Sequence, residues 1–198
     1  MNIDLDHLHH WMQAIRQSSD PMRTMDAFWQ GQLKSKVWLI KNLRKQVKKF
    51  VTVDIHGGWV GTLASMLFQS DVPVMSIRSI DIDPSCEPIA VNMNKIEEMV
   101  GKFQAITADM CSITSDADVI INTSCEHITQ EQFDLWKSNM SPTSLLVLQS
   151  NNYDIPEHVR TAKTLEEFKS QCDINVIWAG ELDLPLYKRF MIIGKRNV

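Results

Sequence analysis

Residues 51 to 64 read VTVDIHGGWVGTLA and decide the fold of this chain. The stretch begins as an alternating, β-branched run, which is typical of a strand. It then turns through glycines and continues as an apolar run, which is typical of a helix. The chain has seven glycines, and Gly57, Gly58 and Gly61 account for three of them. Glycines concentrated at one turn predict a backbone that bends sharply or approaches a ligand closely.

This glycine turn predicts a nucleotide-like cofactor. The amides at the start of the following helix would face a ligand that carries negative charge or lone pairs. An acid in the next predicted strand supports this interpretation, because Asp81 ends that strand 23 positions after Gly58. The distance is close to the ~20-residue spacing at which a carboxylate meets a ribose diol. A carboxylate suits a diol because it can accept two hydrogen bonds at once.

The composition limits the possible partners. The chain has 198 residues, of which 44% are hydrophobic and 22% are charged, as in an ordinary globular protein. The net charge of −4 argues against a nucleic-acid partner. The four cysteines show no zinc-ligand spacing, which predicts reduced thiols in the cytoplasm. We expect no metal, because the neighbours His9 and His10 diverge on a helix and the spacing of Asp81 and Asp83 does not indicate a metal site. No apolar run approaches the roughly 20 residues of a membrane helix, so we expect no membrane partner.

The hydrophobic periodicity predicts an α/β fold in two parts. Two helical patterns, at about 4–17 and 25–48, predict an N-terminal helical cap over residues 1–50. From residue 51 to 198, strands alternate with helices, which predicts a mostly parallel sheet with helices on both faces. The predicted strands are 51–55, 76–81, 103–107, 118–122, 145–149, 175–179 and 188–193. The predicted helices between them are about 60–69, 85–100, 129–139 and 164–171.

Polar residues follow the predicted strands at the positions where such sheets bind ligands, beyond the carboxyl ends of the strands. Polar segments are unusual at the ends of such apolar strands, so their polarity indicates a ligand-binding role. In strand order they are His56 to Gly58, Asp81 to Asp83, Ala108 to Met110, Asn122 to His127, and Gln149 to Tyr153.

Three of these segments together resemble the class I methyltransferases that use S-adenosylmethionine. The resemblance rests on Asp54 with the glycine turn, on residues 80–84 (IDIDP) and on residues 107–110 (TADM), and it covers about 50–195. It implies a Rossmann-like, three-layer α/β/α fold with a seven-stranded, mostly parallel sheet and an antiparallel last strand. It also implies that Asp81 holds the ribose and that Asp109 contacts the adenine amino group of S-adenosylmethionine.

The resemblance and the strand ends together predict the site residues. The predicted cofactor-binding residues are Asp54, His56, Gly57, Gly58, Trp59, Gly61, Asp81, Ile82, Asp109, Met110 and Asn122. Gln149, Asn151, Asn152 and Tyr153 would bind a polar, small-molecule acceptor. Glu126 or His127 could take a proton where the acceptor carries one of high pKa. The alternative is that Asn122 and Ser124 only cap the helix that follows and that His127 lies on its buried side.

The glycine turn departs from the family pattern, acid-x-Gly-x-Gly-x-Gly. His56 stands where the first glycine would be, and Val60 stands where the third would be. The altered turn would lie at the methionine end of the cofactor, where His56 or Trp59 could project. Another enzyme on the same cofactor, such as an aminocarboxypropyl transferase or a lyase, therefore stays open, as does a non-catalytic cofactor-binding protein. A nicotinamide dehydrogenase has a similar early layout, but its Gly-x-Gly-x-x-Gly fingerprint is absent.

Overall fold

The computed structural model describes residues 4–197 and divides the chain into two compact units, Met1–Asp109 and Met110–Val198. Residues 1–3 and 198, at the ends of the two predicted domains, lie outside the described residues. The first unit holds the predicted cap helices together with the first three strands. The domain boundary expected at residue 50 stays a prediction.

The strands within residues 4–197 are β1 (Val51–His56), β2 (Val74–Asp81), β3 (Phe103–Thr107), β4 (Val119–Asn122), β5 (Leu145–Asn151), β6 (Ile174–Asp183) and β7 (Lys188–Arg196). Their order in the sheet is β3-β2-β1-β4-β5-β7-β6. The pairs β1–β2, β2–β3 and β4–β5 are parallel, whereas β7 is antiparallel to both β5 and β6. The predicted fold class, three-layer α/β/α with a seven-stranded sheet and an antiparallel last strand, is confirmed.

The helices of the first unit are α1 (Leu5–Gln17), α2 (Pro21–Asp26), α3 (Gln30–Gln46), α4 (Thr62–Phe68), α5 (Cys86–Met93) and α6 (Lys95–Met99). In the second helical pattern of the cap, residues 31–33 (GQL) predict a kink or a division into two shorter helices, and the structure does divide it, but at residues 27–29. Trp29 has an extended backbone there, and Gly31 falls within the first turn of α3.

Specific hydrogen bonds fasten the cap to the helices that follow β1 and β2. The indole N–H of Trp11 donates to Ser65 Oγ of α4 at 2.8 Å. His7 Nε2 lies 2.9 Å from Glu97 Oε1 of α6, and both side chains are largely buried. Apolar side chains from the cap, the glycine turn and α5 also form one buried cluster: Ala14, Ala27, Val60, Cys86, Ile89 and Met93. The cap is thus an integral part of the first unit.

The second unit adds α7 (Gln130–Ser138) and α8 (Leu165–Cys172), with 3₁₀ turns at Met110–Ser112 and Cys125–His127. The short spacing between the third and fourth predicted strands predicts a single helical turn between them, and the first of these 3₁₀ turns lies there. Thr129 and Gln132 form a reciprocal capping box that starts α7. The core of the unit is built from large side chains that are fully buried, among them Phe133, Trp136, Phe168 and Phe190. Among residues 4–197, no helix combines the length and the apolarity needed to cross a membrane.

Candidate functional site

The glycine turn of the first unit runs from Gly57 to Gly61 between β1 and α4. Three of its residues have a left-handed backbone: Gly57 with φ 68°, Trp59 with φ 50° and Gly61 with φ 78°. This conformation costs a non-glycine residue roughly 1–2 kcal/mol, so Trp59 needs a compensating interaction. The chain therefore reverses sharply here, as the concentration of glycines predicted.

Gly58 brings this turn into close contact with β2. Its N–H donates to the Ile80 carbonyl oxygen at 2.9 Å. A Cβ at Gly58 would lie 2.0 Å from Ser79 Oγ, a distance that a side chain cannot occupy. The absence of a side chain at Gly58 thus lets the turn lie against the end of β2, next to Asp81, without displacing the buried Ser79.

The carboxylate of Asp81 is held by backbone amides on both sides. Its Oδ2 accepts a hydrogen bond from the Trp59 N–H at 2.8 Å, and its Oδ1 accepts one from the Asp83 N–H at 3.0 Å. The charge-assisted bond to Trp59 helps to offset the left-handed backbone of that residue. Asp81 is only partly buried, and each oxygen can accept a further hydrogen bond. The carboxylate is thus oriented by the glycine turn and remains open to an outside donor.

The neighbouring acid, Asp83, is already engaged. It accepts hydrogen bonds from the Ser85 hydroxyl at 2.7 Å and from the Ser85 N–H at 2.9 Å, and Arg23 Nη1 of α2 lies 2.6 Å away. These interactions, those with Ser85 first, lower the pKa of Asp83 to about 2. Asp83 therefore fastens the cap to the loop after β2 and leaves Asp81 as the available acid.

Asp54 and His56, both predicted to bind the cofactor, are buried within the first unit. Arg78 Nε donates to Asp54 Oδ1 at 2.8 Å, and Arg78 Nη2 also contacts Asp54 Oδ2. The His56 side chain is fully buried, and desolvation lowers its pKa to about 4. The imidazole is consequently neutral at physiological pH. Both residues support the turn from the strand side, and their predicted contact with a cofactor stays a prediction.

The other predicted residues of the first unit differ in exposure. The Trp59 side chain packs against the apolar cluster around Val60 and Ile89, so its contribution near Asp81 is its backbone N–H. Ile82 is 69% exposed and so presents apolar surface just after the end of β2. The Ala108 N–H donates to the Asp81 carbonyl oxygen at 2.9 Å, so the segment that carries the exposed Asp109 runs alongside. Asp81, Ile82 and Asp109 are thus grouped at one edge of the first unit.

In the second unit, Asn122 shapes the segment that follows β4. Its Oδ1 accepts the Ser124 N–H at 2.9 Å, and its Nδ2 donates to Met110 Sδ at 3.4 Å. The first of these bonds makes a side-chain turn that starts the 3₁₀ segment Cys125–His127. Burial raises the pKa of the Cys125 thiol well above its usual range, which leaves it inert.

Glu126 is buried in an ion pair. Its Oε1 accepts hydrogen bonds from Arg189 Nη1 of β7 at 2.7 Å and from Asn151 Nδ2 of β5 at 2.5 Å. Arg189 Nη2 also donates to the Thr123 carbonyl oxygen at 3.0 Å. The second carboxylate oxygen, Oε2, is buried without a hydrogen-bond partner among the described residues. This arrangement fixes the carboxylate in place, and the catalytic role expected of Glu126 stays a prediction.

His127 is exposed and lies beside His158, with a ring-centroid distance of 4.7 Å. His127 Nδ1 lies 3.1 Å from the Glu157 carbonyl oxygen, and His158 Nδ1 lies 2.7 Å from the Tyr153 carbonyl oxygen. A carbonyl oxygen can only accept, so each Nδ1 carries the proton and each Nε2 keeps its lone pair. Each of these two neighbouring rings thus has one nitrogen, Nε2, whose lone pair is available.

The four residues predicted to bind an acceptor fall into two groups. Gln149 and Asn151 are buried, with the Gln149 amide donating to Met191 Sδ at 3.4 Å. Asn152 and Tyr153 are exposed, in the loop after β5. The Asn151 Oδ1 accepts the Tyr153 N–H at 2.8 Å and so links the two groups. Only the second group can meet a solvent-borne acceptor as it stands.

Two arginines that organise these sites carry no clear signal in the sequence. Arg78 and Arg189 are strand residues whose partners, Asp54 and Glu126, lie 24 and 63 positions away. A charge inside an otherwise apolar strand, as in KRFMII at 188–193, is a hint that it has a buried partner. The identity of that partner depends on strand order, which the local pattern does not contain.

No protein-family model and no curated protein sequence matches this chain. Solved structures do resemble it. The N-methyltransferase NodS from Bradyrhizobium japonicum WM9, in complex with S-adenosyl-L-homocysteine, has 12% identity and a TM-score of 0.66, covering 96% of this chain and 99% of NodS. MtNAS in complex with MTA and tNA has 12% identity and a TM-score of 0.63, covering 96% and 70%. The small RNA methyltransferase HEN1 has 16% identity and a TM-score of 0.64, covering 82% and 25%.

These neighbours differ in what their names say they act on or bind, so the likeness concerns architecture. The strand order, the antiparallel β7 and the glycine turn after β1 agree with the resemblance seen in the sequence. The chain therefore has the Rossmann-like fold of the class I S-adenosylmethionine-dependent methyltransferases.

Proposed function

We propose that this chain is an S-adenosylmethionine-dependent methyltransferase that acts on a small-molecule acceptor. The observation that carries the proposal is the Asp81 carboxylate, which two backbone amides hold at the end of β2 beside the glycine turn. A fixed, partly exposed carboxylate with open lone pairs suits a ribose diol. NodS, which shares the fold, was solved with S-adenosyl-L-homocysteine.

The residues near Asp81 fit the remaining parts of this cofactor. Ile82 offers exposed apolar surface to the adenine ring, and Asp109 can accept from its amino group. When bound, S-adenosylmethionine supplies a methyl group on a positively charged sulfur. The protein's contribution is then mainly to orient this group toward the acceptor, which can account for most of the rate. Contacts of Met110 and Asn122 with the cofactor stay predictions.

A proton acceptor is needed only where the acceptor group has a high pKa. In the second unit, the exposed His127 has its Nδ1–H directed to a carbonyl, which leaves Nε2 able to take a proton. Glu126 Oε1 is occupied by two donors, so within this proposal Glu126 positions the 3₁₀ turn that carries His127. Asn152 and Tyr153 are the exposed candidates for contact with the acceptor.

Titration calorimetry with S-adenosylmethionine and S-adenosylhomocysteine tests the cofactor assignment. Asp81→Asn should weaken the binding of both by about 1–3 kcal/mol, because a hydrogen-bonded carboxylate is lost. Asp71→Asn is the matched control, since Asp71 is an exposed acid in the loop before β2. Absence of binding to the folded wild-type protein would remove the proposal, and unchanged affinity in Asp81→Asn would remove the ribose assignment.

A second candidate is an aminocarboxypropyl transferase on the same cofactor. The altered glycine turn at His56 and Val60 favours it, and MtNAS, a neighbour of the same fold, was solved with MTA. The products separate the two candidates. S-adenosylhomocysteine would accumulate after methyl transfer, whereas methylthioadenosine (MTA) would accumulate after transfer of the aminocarboxypropyl group.

A further inference from the structure

Three side chains of the second unit, Glu126, His127 and His158, converge on one point. Each offers one ligand atom, and these atoms all lie within 4.8 Å of one another. We propose that they form a binding site for a divalent first-row transition ion of the Zn²⁺ class. The sequence did not indicate this site, because Glu126 and His127 are consecutive and His158 follows 31 positions later.

Both imidazoles are prepared to act as ligands. The Nδ1–H of His127 is directed to the Glu157 carbonyl oxygen, and that of His158 to the Tyr153 carbonyl oxygen. Metal-binding histidines commonly donate their other ring N–H in this way, because the bond fixes both the tautomer and the orientation of the ring. The Nε2 lone pairs are therefore the ones available to an ion.

The carboxylate supplies an independent argument. The Glu126 side chain is only 3% exposed, and its Oε2 has no hydrogen-bond partner among the described residues. A buried carboxylate oxygen that is left without a donor is costly. The other oxygen already accepts from Arg189 and Asn151, so these two residues hold the carboxylate while Oε2 remains open to a cation.

The donor set also indicates the kind of ion. Two imidazole nitrogens and one carboxylate oxygen suit zinc and its first-row neighbours, whereas Mg²⁺ and Ca²⁺ prefer oxygen ligands. Ligand bonds of about 2.0–2.2 Å in a tetrahedral site place ligand atoms roughly 3.3–3.6 Å apart, so ligand atoms that lie up to 4.8 Å apart must approach each other by up to about 1.5 Å. His127 is exposed and can make that movement. Three protein ligands would leave coordination positions for water or another small ligand.

This site does not require the proposed function to be correct. It does affect that proposal, because an ion on His127 Nε2 would use the lone pair that a general base needs. Proton abstraction by His127 and metal binding at His127 are therefore alternatives while the ion is bound. Metal affinity, measured without cofactor or acceptor, distinguishes a failure of this inference from a failure of the methyltransferase proposal.

The test is calorimetric titration of Zn²⁺ into the full-length protein after removal of metals with EDTA. We expect one Zn²⁺ per chain, visible d–d absorption bands when Co²⁺ replaces it, and a higher Tm with Zn²⁺ because the ion binds the folded state. His127→Ala and His158→Ala should each weaken Zn²⁺ binding by at least about tenfold, the loss seen even when only an outer partner of a ligand is removed.

Both variants change residues that are not buried, so they should fold, and circular dichroism checks this. His9→Ala is the matched control, since His9 is an exposed histidine on α1 and should bind Zn²⁺ no differently from the wild type. The inference is overturned if the wild type binds neither Zn²⁺ nor Co²⁺. It is equally overturned if His127→Ala and His158→Ala both keep the wild-type affinity for Zn²⁺. The same holds if His9→Ala loses as much Zn²⁺ affinity as these two variants do.

Discussion

Two glycines of the first unit, Gly61 and Gly101, have the same left-handed backbone but different surroundings. Their φ angles are 78° and 71°. A Cβ on Gly61 would lie 2.6 Å from Asn94 Nδ2 and 3.0 Å from Ala90 Cα, whereas a Cβ on Gly101 would meet nothing within 4 Å. Asn94 Nδ2 donates to the carbonyl oxygens of Gly61 and Ala90 at 3.1 and 2.9 Å. The close approach at Gly61 therefore attaches the glycine turn to α5.

This difference allows the cost of the backbone to be separated from the cost of the contact. Gly101→Ala should lower the free energy of unfolding by about 1–2 kcal/mol, through the left-handed conformation alone. Gly61→Ala should lower the free energy of unfolding by that amount and by roughly 1–3 kcal/mol more, because the added Cβ overpacks the contact with Asn94 and Ala90. Urea denaturation of both variants measures the two losses. Equal losses would show that the contact with Asn94 adjusts at no cost.

At the level of single residues, the sequence predicted positions that depend on local geometry. Glycines at a sharp turn and an acid at a strand end are local signals, and the structure places Gly58 and Asp81 next to one another. The sequence could not show that His56 is fully buried, because strand alternation alone does not reveal which side chains another layer covers. Nor could it show that Asp83 is engaged by Arg23, since that bond joins elements distant in the chain.

Among the elements, the buried pair of Glu126 and Arg189 joins a 3₁₀ turn to strand β7. Their side chains are 3% and 8% exposed. Arg189→Met should lower the free energy of unfolding by about 3–5 kcal/mol, because Glu126 would be left buried without its partner charge. The double variant Arg189→Met with Glu126→Leu should recover much of this loss, since no buried charge remains. Urea denaturation of the single and double variants measures the coupling.

The control for this experiment lies next to Arg189 in the same strand. Lys188 Nζ is 2.8 Å from Glu181 Oε2, but both side chains are well exposed. Lys188→Met should leave the free energy of unfolding nearly unchanged, as is usual for solvent-exposed ion pairs. A large loss in Lys188→Met, or a double variant no more stable than Arg189→Met, would contradict the assignment.

Element boundaries were predictable where apolar periodicity marks them and less so where pairing partners decide. Strand β3 has the predicted bounds, Phe103–Thr107. Strand β6 extends to Asp183, beyond the predicted end at residue 179. The last residues of the strand, 181–183, include Glu181 and Asp183, which have little preference for strands. They are nevertheless paired with Phe190, Arg189 and Lys188 of β7. These partners lie only a few positions further along the chain, so the extension of β6 comes from the hairpin it forms with β7 and not from the strand preference of its own residues.

For the molecule as a whole, the buried His56 makes stability depend on pH. Burial lowers its pKa from 6.5 to about 4, although nearby Asp54 acts in the opposite direction. Between these two values the unfolded chain binds a proton that the folded chain does not, so stability falls as the pH falls from about 6.5 to about 4. A shift of that size corresponds to about 3 kcal/mol, all of it lost below the folded-state pKa.

We therefore expect the free energy of unfolding of the wild type to decrease by about 3 kcal/mol more than that of His56→Gln between about pH 7 and about pH 4. Glutamine cannot take up the proton, so the variant removes this contribution while the other titrating groups act equally in both proteins. His10→Gln, which removes a histidine near the surface of α1, should follow the wild type. Urea denaturation across this range gives the three profiles. If the pH profile of His56→Gln ran parallel to that of the wild type, the His56 imidazole would be protonated as readily in the folded chain as in the unfolded one. The assignment of His56 to a dry environment beneath the glycine turn would then be wrong.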